Sequence, residues 1–157
     1  MRTLAARSLD VPQPHAITPF LWFDSQAQEA AAFYVSLFGD SRIVSTNPMM
    51  TVFELSGREF MALNGGPRFS FTEAVSLYVH CHDQAEIDRL WGALTADGGA
   101  ESQCGWLKDR YGLSWQIIPD ALPRYFSDPD RAKADRVMQA MLKMRKIVIA
   151  DLDAAAG

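Results

Sequence analysis

A chain of 157 residues with 48% hydrophobic and 22% charged residues has the composition of one ordinary globular domain with enough apolar material for a core. Its formal net charge of -4 gives no electrostatic reason to bind nucleic acid, and no uncharged apolar run is long enough to span a bilayer. Two cysteines, Cys81 and Cys104, cannot build a disulfide framework, which fits a reducing cytoplasm.

Residues 1–15 carry two prolines and no signal-peptide core, and read as a loose leader. Ile17 to Phe23 reads as a strand, with Pro19 at its edge or start. Ser25-Gln-Ala-Gln28 fits a capping box. Ala27, Ala30, Ala31, Tyr34, Leu37 and Phe38 then follow helical spacing, and Gly39 suits the stop. Ile43 to Thr46, Thr51 to Leu55 and Glu59 to Leu63 read as three short strands. Asn64-Gly-Gly-Pro67 breaks the chain.

The pattern then begins again. Val75 to His82 is a strand, Asp83-Gln-Ala-Glu86 a second capping box, and Ile87, Leu90, Trp91 and Leu94 the buried stripe of a helix closed by Gly98. Trp106 to Lys108 run in, Asp109-Arg-Tyr-Gly112 turn the chain, and Leu113 to Ile118 run out. On that last strand Leu113, Trp115 and Ile117 share one face, while Ser114, Gln116 and Ile118 share the other. The offset from inward strand residue to helix cap is the same in both halves, Phe23 to Ser25 and Cys81 to Asp83. Two βαβββ modules are the result. Beyond them, Asp128-Pro129 reads as a helix start, and Val137, Met138, Met141, Leu142 and Met144 form an apolar stripe. That helix docks either on its own chain or on a second subunit. Lys143, Arg145 and Lys146 would complement its dipole.

These residues resemble the vicinal oxygen chelate superfamily, which holds glyoxalases, extradiol dioxygenases and bleomycin-resistance proteins. Within it, Ile17-Thr-Pro-Phe-Leu-Trp-Phe-Asp24, Glu29-Ala-Ala-Ala-Phe-Tyr34, Asn64-Gly-Gly-Pro67 and Gly105-Trp-Leu-Lys-Asp109 with Ser114-Trp-Gln116 are similar to the PhnB-like branch, often labelled demethylubiquinone methyltransferase. Asp128-Pro-Asp130, Arg136 to Met141 and Met144 to Ile147 resemble it too. The resemblance implies an α+β fold, two modules whose strands curl into a cup-like mixed sheet, and a homodimer. It divides the chain into the leader at 1–15, one domain at 16–122 with modules at about 16–66 and 74–119, and a C-terminal helical extension at 123–157.

The superfamily's chemistry uses a divalent metal held by His and Glu. Carried over, the ligand positions fall at Thr18, Ser76, Gln116 and near Met61, all poor ligands for such an ion. The expectation is therefore no metal and no cofactor. His80-Cys81-His82 puts two imidazoles on one strand face, with nothing acidic visible beside them. The expectation there is that His80 lines the cup and His82 is exposed. Cys81 should be inert in the core, and Cys104 is the more reactive candidate. No Gly-rich strand–helix turn for S-adenosylmethionine, P-loop or dinucleotide fingerprint is present.

What remains is a lined cup. Phe20, Trp22, Tyr78, His80, Trp106 and Gln116, with Thr18, Met61 and Ser76, suit a small, partly apolar organic molecule. Three functions stay open. The first is a metal-independent binding module. The second is an enzyme of lyase or isomerase type, with Tyr78 or His80 as acid–base group and Gln116 orienting the ligand, or a methyltransferase as the branch's label has it. The third is a structural dimer whose cup has closed.

Overall fold

The computed structural model describes residues 17–157, so the leader expected at 1–15 lies outside the described residues. The chain divides after Gly66 into two compact units. Each is an α+β module built on its own four-stranded mixed sheet.

In the first unit β1 (Phe20–Phe23) leads into α1 (Ala27–Leu37), then β2 (Arg42–Thr46), β3 (Met50–Leu55) and β4 (Arg58–Asn64). The sheet order is β1-β4-β3-β2, with β1 parallel to β4 and the other pairs antiparallel. Alternation decides which face is covered. Leu21, Phe23, Phe53, Leu55, Phe60 and Ala62 are buried, as are Ala27, Ala30, Ala31 and Tyr34 of α1. Phe53 and Phe60 stack at 5.5 Å between ring centroids.

Two local expectations fail in this unit. The Ser25 capping box does not form; the N-cap residue of α1 is Gln26, whose side chain makes no cap. Asn64 Oδ1, at the end of β4, instead accepts the Ala27 N–H at 2.8 Å. A tertiary acceptor displaces the local one. Gly39 does not take the left-handed turn after α1 either; Asp40 does, at φ 49°.

The glycines after β4 serve Trp22. Its indole N–H donates to the Gly66 carbonyl at 2.9 Å. A Cβ on Gly65 would stand 2.3 Å from the indole ring. Gly65→Ala should therefore cost about 1–3 kcal/mol through overpacking. Urea unfolding of this variant checks it, and a cost within error would show that the indole shifts freely.

The second unit repeats the plan. β5 (Ser76–Cys81), α2 (Gln84–Thr95), β6 (Ala100–Glu101), β7 (Trp106–Lys108) and β8 (Ser114–Pro119) give a sheet of order β5-β8-β7-β6. Asp83 caps α2 as its sequence suggests, accepting the Glu86 N–H at 2.8 Å. The β7–β8 turn is held by Asp109, only 2% exposed. Its Oδ1 accepts from the Tyr111 and Leu113 amides at 2.8 and 3.1 Å, and its Oδ2 accepts from the Trp115 indole at 2.9 Å. Gly112 supplies the positive φ of 85° that the reversal needs. Trp115 and Ile117 are buried on the α2 side, as the alternation implies.

The C-terminal segment forms three helices, not one: α3 (Ala121–Phe126), α4 (Arg131–Met141) and α5 (Ile149–Ala156). Asp130, not Asp128, caps α4, and Met144 lies beyond its end. Asp128 instead pairs with Lys133 at 2.9 Å. The segment docks on its own chain. Ile118 of β8 joins Leu122, Val137, Ile147, Leu152 and Ala156 in one buried cluster. Cys104 and Gly105 donate their N–H groups to the Met144 and Arg145 carbonyls at 2.8 and 2.7 Å. Gln84 clamps the α4–α5 link from both sides, donating to the Ile147 carbonyl and accepting from the Ile149 N–H. Among the described residues no helix is long and apolar enough to cross a membrane.

Candidate functional site

The polar face of the second sheet carries the candidate site. Register places Gln116 of β8 between Trp106 of β7 and Tyr78 of β5, as direct partners on either side. The three side chains therefore stand in one row across the sheet. Ser76, two residues before Tyr78, accepts a hydrogen bond from Gln116 Nε2 at 2.9 Å. The row follows from a sequence pattern of alternating aromatics and polar residues on paired strands.

The docked C-terminal segment turns this face into a cavity of about 570 Å3. Its sheet side is Tyr78, Trp106, Gln116, Ile118 and Cys104. Its opposite wall is Leu122, Pro123, Phe126 and Ser127 around α3, with Met141 from α4. Among the described residues no charged side chain lines it. Polar contacts come only from an amide, a phenol, a hydroxyl, a thiol and an indole. Such a lining suits an uncharged ligand, because a buried ion would find no counter-charge.

The ionisation states agree with that. Burial, helped by the negative charge of Asp120, pushes the Tyr78 phenol up, so it stays protonated and can donate. Burial likewise pushes the Cys81 thiol up to about 12. Cys81 is fully buried, whereas Cys104 is partly exposed, and both thiols are free. Of the four tryptophans, three donate their indole N–H internally: Trp22 to Gly66, Trp91 to Glu101 and Trp115 to Asp109. Trp106 has no such bond to a described residue.

Of the residues singled out by sequence, Tyr78, Trp106 and Gln116 come together on the cavity. Ser76 stands behind Gln116. His80 does not line the cavity; its ring tilts against Tyr78 at 4.9 Å between centroids. Its Nδ1 lies 3.5 Å from Asp120 Oδ1, while His82 Nδ1 lies 2.6 Å from Asp120 Oδ2. Contrary to the expectation of no acidic neighbour, Asp120 stands beside both imidazoles. The residue after β8 arrives beside the residue after β5 because Pro119 pairs with Cys81. Thr18, Phe20, Trp22 and Met61 belong to the first unit, where Phe20 pairs with Met61 and Trp22 lies on Gly65. Ile118, Leu122, Pro123, Phe126, Ser127 and Met141 were not foreseen as lining. For Met141 the methionine stripe was the available signal, whereas α3 has no periodic pattern.

The four positions that would hold the superfamily's metal do not fit one. In the first unit Thr18 Oγ1 donates to Glu59 Oε1 at 3.2 Å, and Met61 offers a thioether. In the second, the Gln116 amide and the Ser76 hydroxyl bond each other. None supplies the imidazole or carboxylate that a hard or borderline divalent ion wants. A methyl donor fares no better. Gly65 and Gly66 serve Trp22, and residues 65–75 contain no helix whose N-terminus could receive the cofactor.

Repeated βαβββ modules with a lined sheet face define a glyoxalase-like fold. The family profile described as 3-demethylubiquinone-9 3-methyltransferase matches residues 15–118. The chain belongs to this PhnB-like family of the vicinal oxygen chelate superfamily. A solved PhnB protein from Bacillus cereus, itself described by that methyltransferase name, is 38% identical over 66% of this chain and 98% of its own, with a TM-score of 0.61. A solved Pseudomonas aeruginosa protein shares the fold at 22% identity over 66% of this chain and 96% of its own, TM-score 0.53. Among curated proteins none matches. The profile match ends at residue 118, so the closing motifs at 128–147 lie beyond it, as does the helical wall of the cavity.

Proposed function

We propose that the protein binds a small, neutral, partly apolar organic molecule in the cavity of its second unit, without a metal ion. The carrying observation is a cavity of about 570 Å3 whose lining among the described residues is uncharged. In this reading the domain at 16–122 supplies the sheet face, and the extension at 123–157 supplies most of the cover. Two free cysteines support a cytoplasmic location. A symmetric homodimer is part of the proposal. Since the extension docks in cis, the interface falls to a sheet edge, and β2 is one with Ile43 and Val44 exposed.

Cys104 supplies the test. Maleimide should modify one thiol per chain, because Cys81 is buried with a raised pKa. Neutral compounds that raise the melting temperature in a ligand screen should slow that labelling in proportion to occupancy. Stabilising compounds that leave the Cys104 rate unchanged would place their site elsewhere. Metal analysis of untagged protein should find well under one divalent ion per chain, and chelator should leave the melting temperature unchanged. Gln116→Glu alone should not create tight metal binding; a stoichiometric ion in either protein would contradict the metal-free reading.

A second reading, acid–base catalysis, is favoured by one observation: Asp120 stands between His80 and His82. In that reading the Tyr78 phenol, which lines the cavity, is the acid–base group on the ligand, and His80, held by Asp120 against the Tyr78 ring, acts through it. His80→Gln would then abolish turnover of a bound ligand while leaving its binding intact. Equal turnover in the variant would remove His80 from the chemistry.

A further inference from the structure

We propose that the row Trp106–Gln116–Tyr78 selects an aromatic molecule bearing a hydroxyl group, with Ser76 holding the Gln116 amide so that its oxygen accepts from that hydroxyl. This rests on the reading of the cavity as a ligand site and names the class of ligand. Gln116 Nε2 is spent on Ser76 Oγ at 2.9 Å. Gln116 Oε1 has no partner among the described residues and belongs to a side chain that lines the cavity. It is an acceptor waiting for a donor.

The neighbours refine the class. Tyr78 and Trp106 flank Gln116 in register, so aromatic surface lies on both sides of the amide. The Tyr78 hydroxyl makes no hydrogen bond to a described residue and can donate. A hydroxyl on the ligand satisfies both groups at once, donating to Gln116 Oε1 and accepting from Tyr78. An ether or ketone only accepts, and would leave Gln116 Oε1 desolvated and unpaired. An anion or cation would meet no opposite charge in the lining.

A matched pair of probes decides the point. Full-length protein is titrated calorimetrically with 2-naphthol and with 2-methoxynaphthalene, which share the ring and differ in the donor. The expected result is 2-naphthol binding about three- to tenfold more tightly, the worth of one net hydrogen bond. Gln116→Leu should bring the two to equal affinity while still binding the ether. Ser76→Ala should narrow the gap, and Ser76→Thr, which keeps the hydroxyl, should restore it. A merely structural Ser76 would change both affinities alike and leave their ratio untouched, which overturns its positioning role. Equal affinity in the unmodified protein, or preference for the ether, overturns the inference while the cavity reading stands. Binding of neither probe also overturns it, and the cavity reading then stands or falls on the Cys104 protection.

Discussion

Replacing Asp109 with alanine should cost about 3–5 kcal/mol, a large part of the roughly 5–15 kcal/mol that holds an ordinary domain together. The carboxylate is 2% exposed and accepts from the Tyr111 amide, the Leu113 amide and the Trp115 indole. Removing it strands three donors, the buried Leu113 amide and Trp115 indole and the part-buried Tyr111 amide, and a buried donor left unpaired costs about 1–3 kcal/mol. Asp109→Asn should fall between, because an amide points N–H groups at a donor wherever its nitrogen lands. Urea unfolding followed by tryptophan fluorescence measures both. A loss under about 1 kcal/mol for alanine would mean that the backbone bonds between Asp109, Gly112 and Leu113 hold the turn unaided.

Truncation after Pro123 should be as damaging, and through packing. The cut removes Val137, Ile147, Leu152 and Ala156 from the cluster they share with Ile118 and Leu122. Single Leu or Ile truncations in such a core cost about 2–5 kcal/mol, so losing several together exceeds what one unit can absorb. Gly105 shows how close the fit is: a Cβ there would stand 2.7 Å from Ile118 and 3.1 Å from Ile147. The truncated chain should unfold or aggregate in light scattering. Ile147→Ala, which leaves the chain whole, should cost about 2–5 kcal/mol without altering the association state. A truncated protein as stable as the full chain would contradict docking in cis. Monomeric full-length protein at micromolar concentration would contradict the proposed dimer.

Much of the fold was legible because both modules repeat the same rule. Strand alternation put Trp115 and Ile117 inward and Gln116 outward, and the Phe23 and Cys81 offsets aligned the halves. At Ser25 local chemistry was overruled from a distance. Ser25 looked like a cap, but Asn64, 37 residues away from Ala27, takes that amide. Asp128 failed for a local reason: Asp130, two residues on, caps α4, and Asp128 holds Lys133 instead. The site was half legible for a reason related to that at Ser25. Trp106, Gln116 and Tyr78 announce themselves by periodicity. Leu122, Phe126 and Ser127 join them only because the chain doubles back after Pro119, and no local pattern encodes that return. Asp120 was invisible until parallel pairing of β5 with β8 carried it to His80 and His82.

The measurement that reaches the central claim most directly is a ligand titration watched through the tryptophan indole signals in a proton–nitrogen correlation spectrum. The four indoles give four signals, and Trp106→Phe identifies the one that faces the cavity. A neutral aromatic ligand should move the Trp106 signal saturably at one ligand per chain. The Trp22, Trp91 and Trp115 signals, each bonded inside the protein, should stay in place. A stabilising ligand that shifts those three and leaves Trp106 still would contradict the central claim.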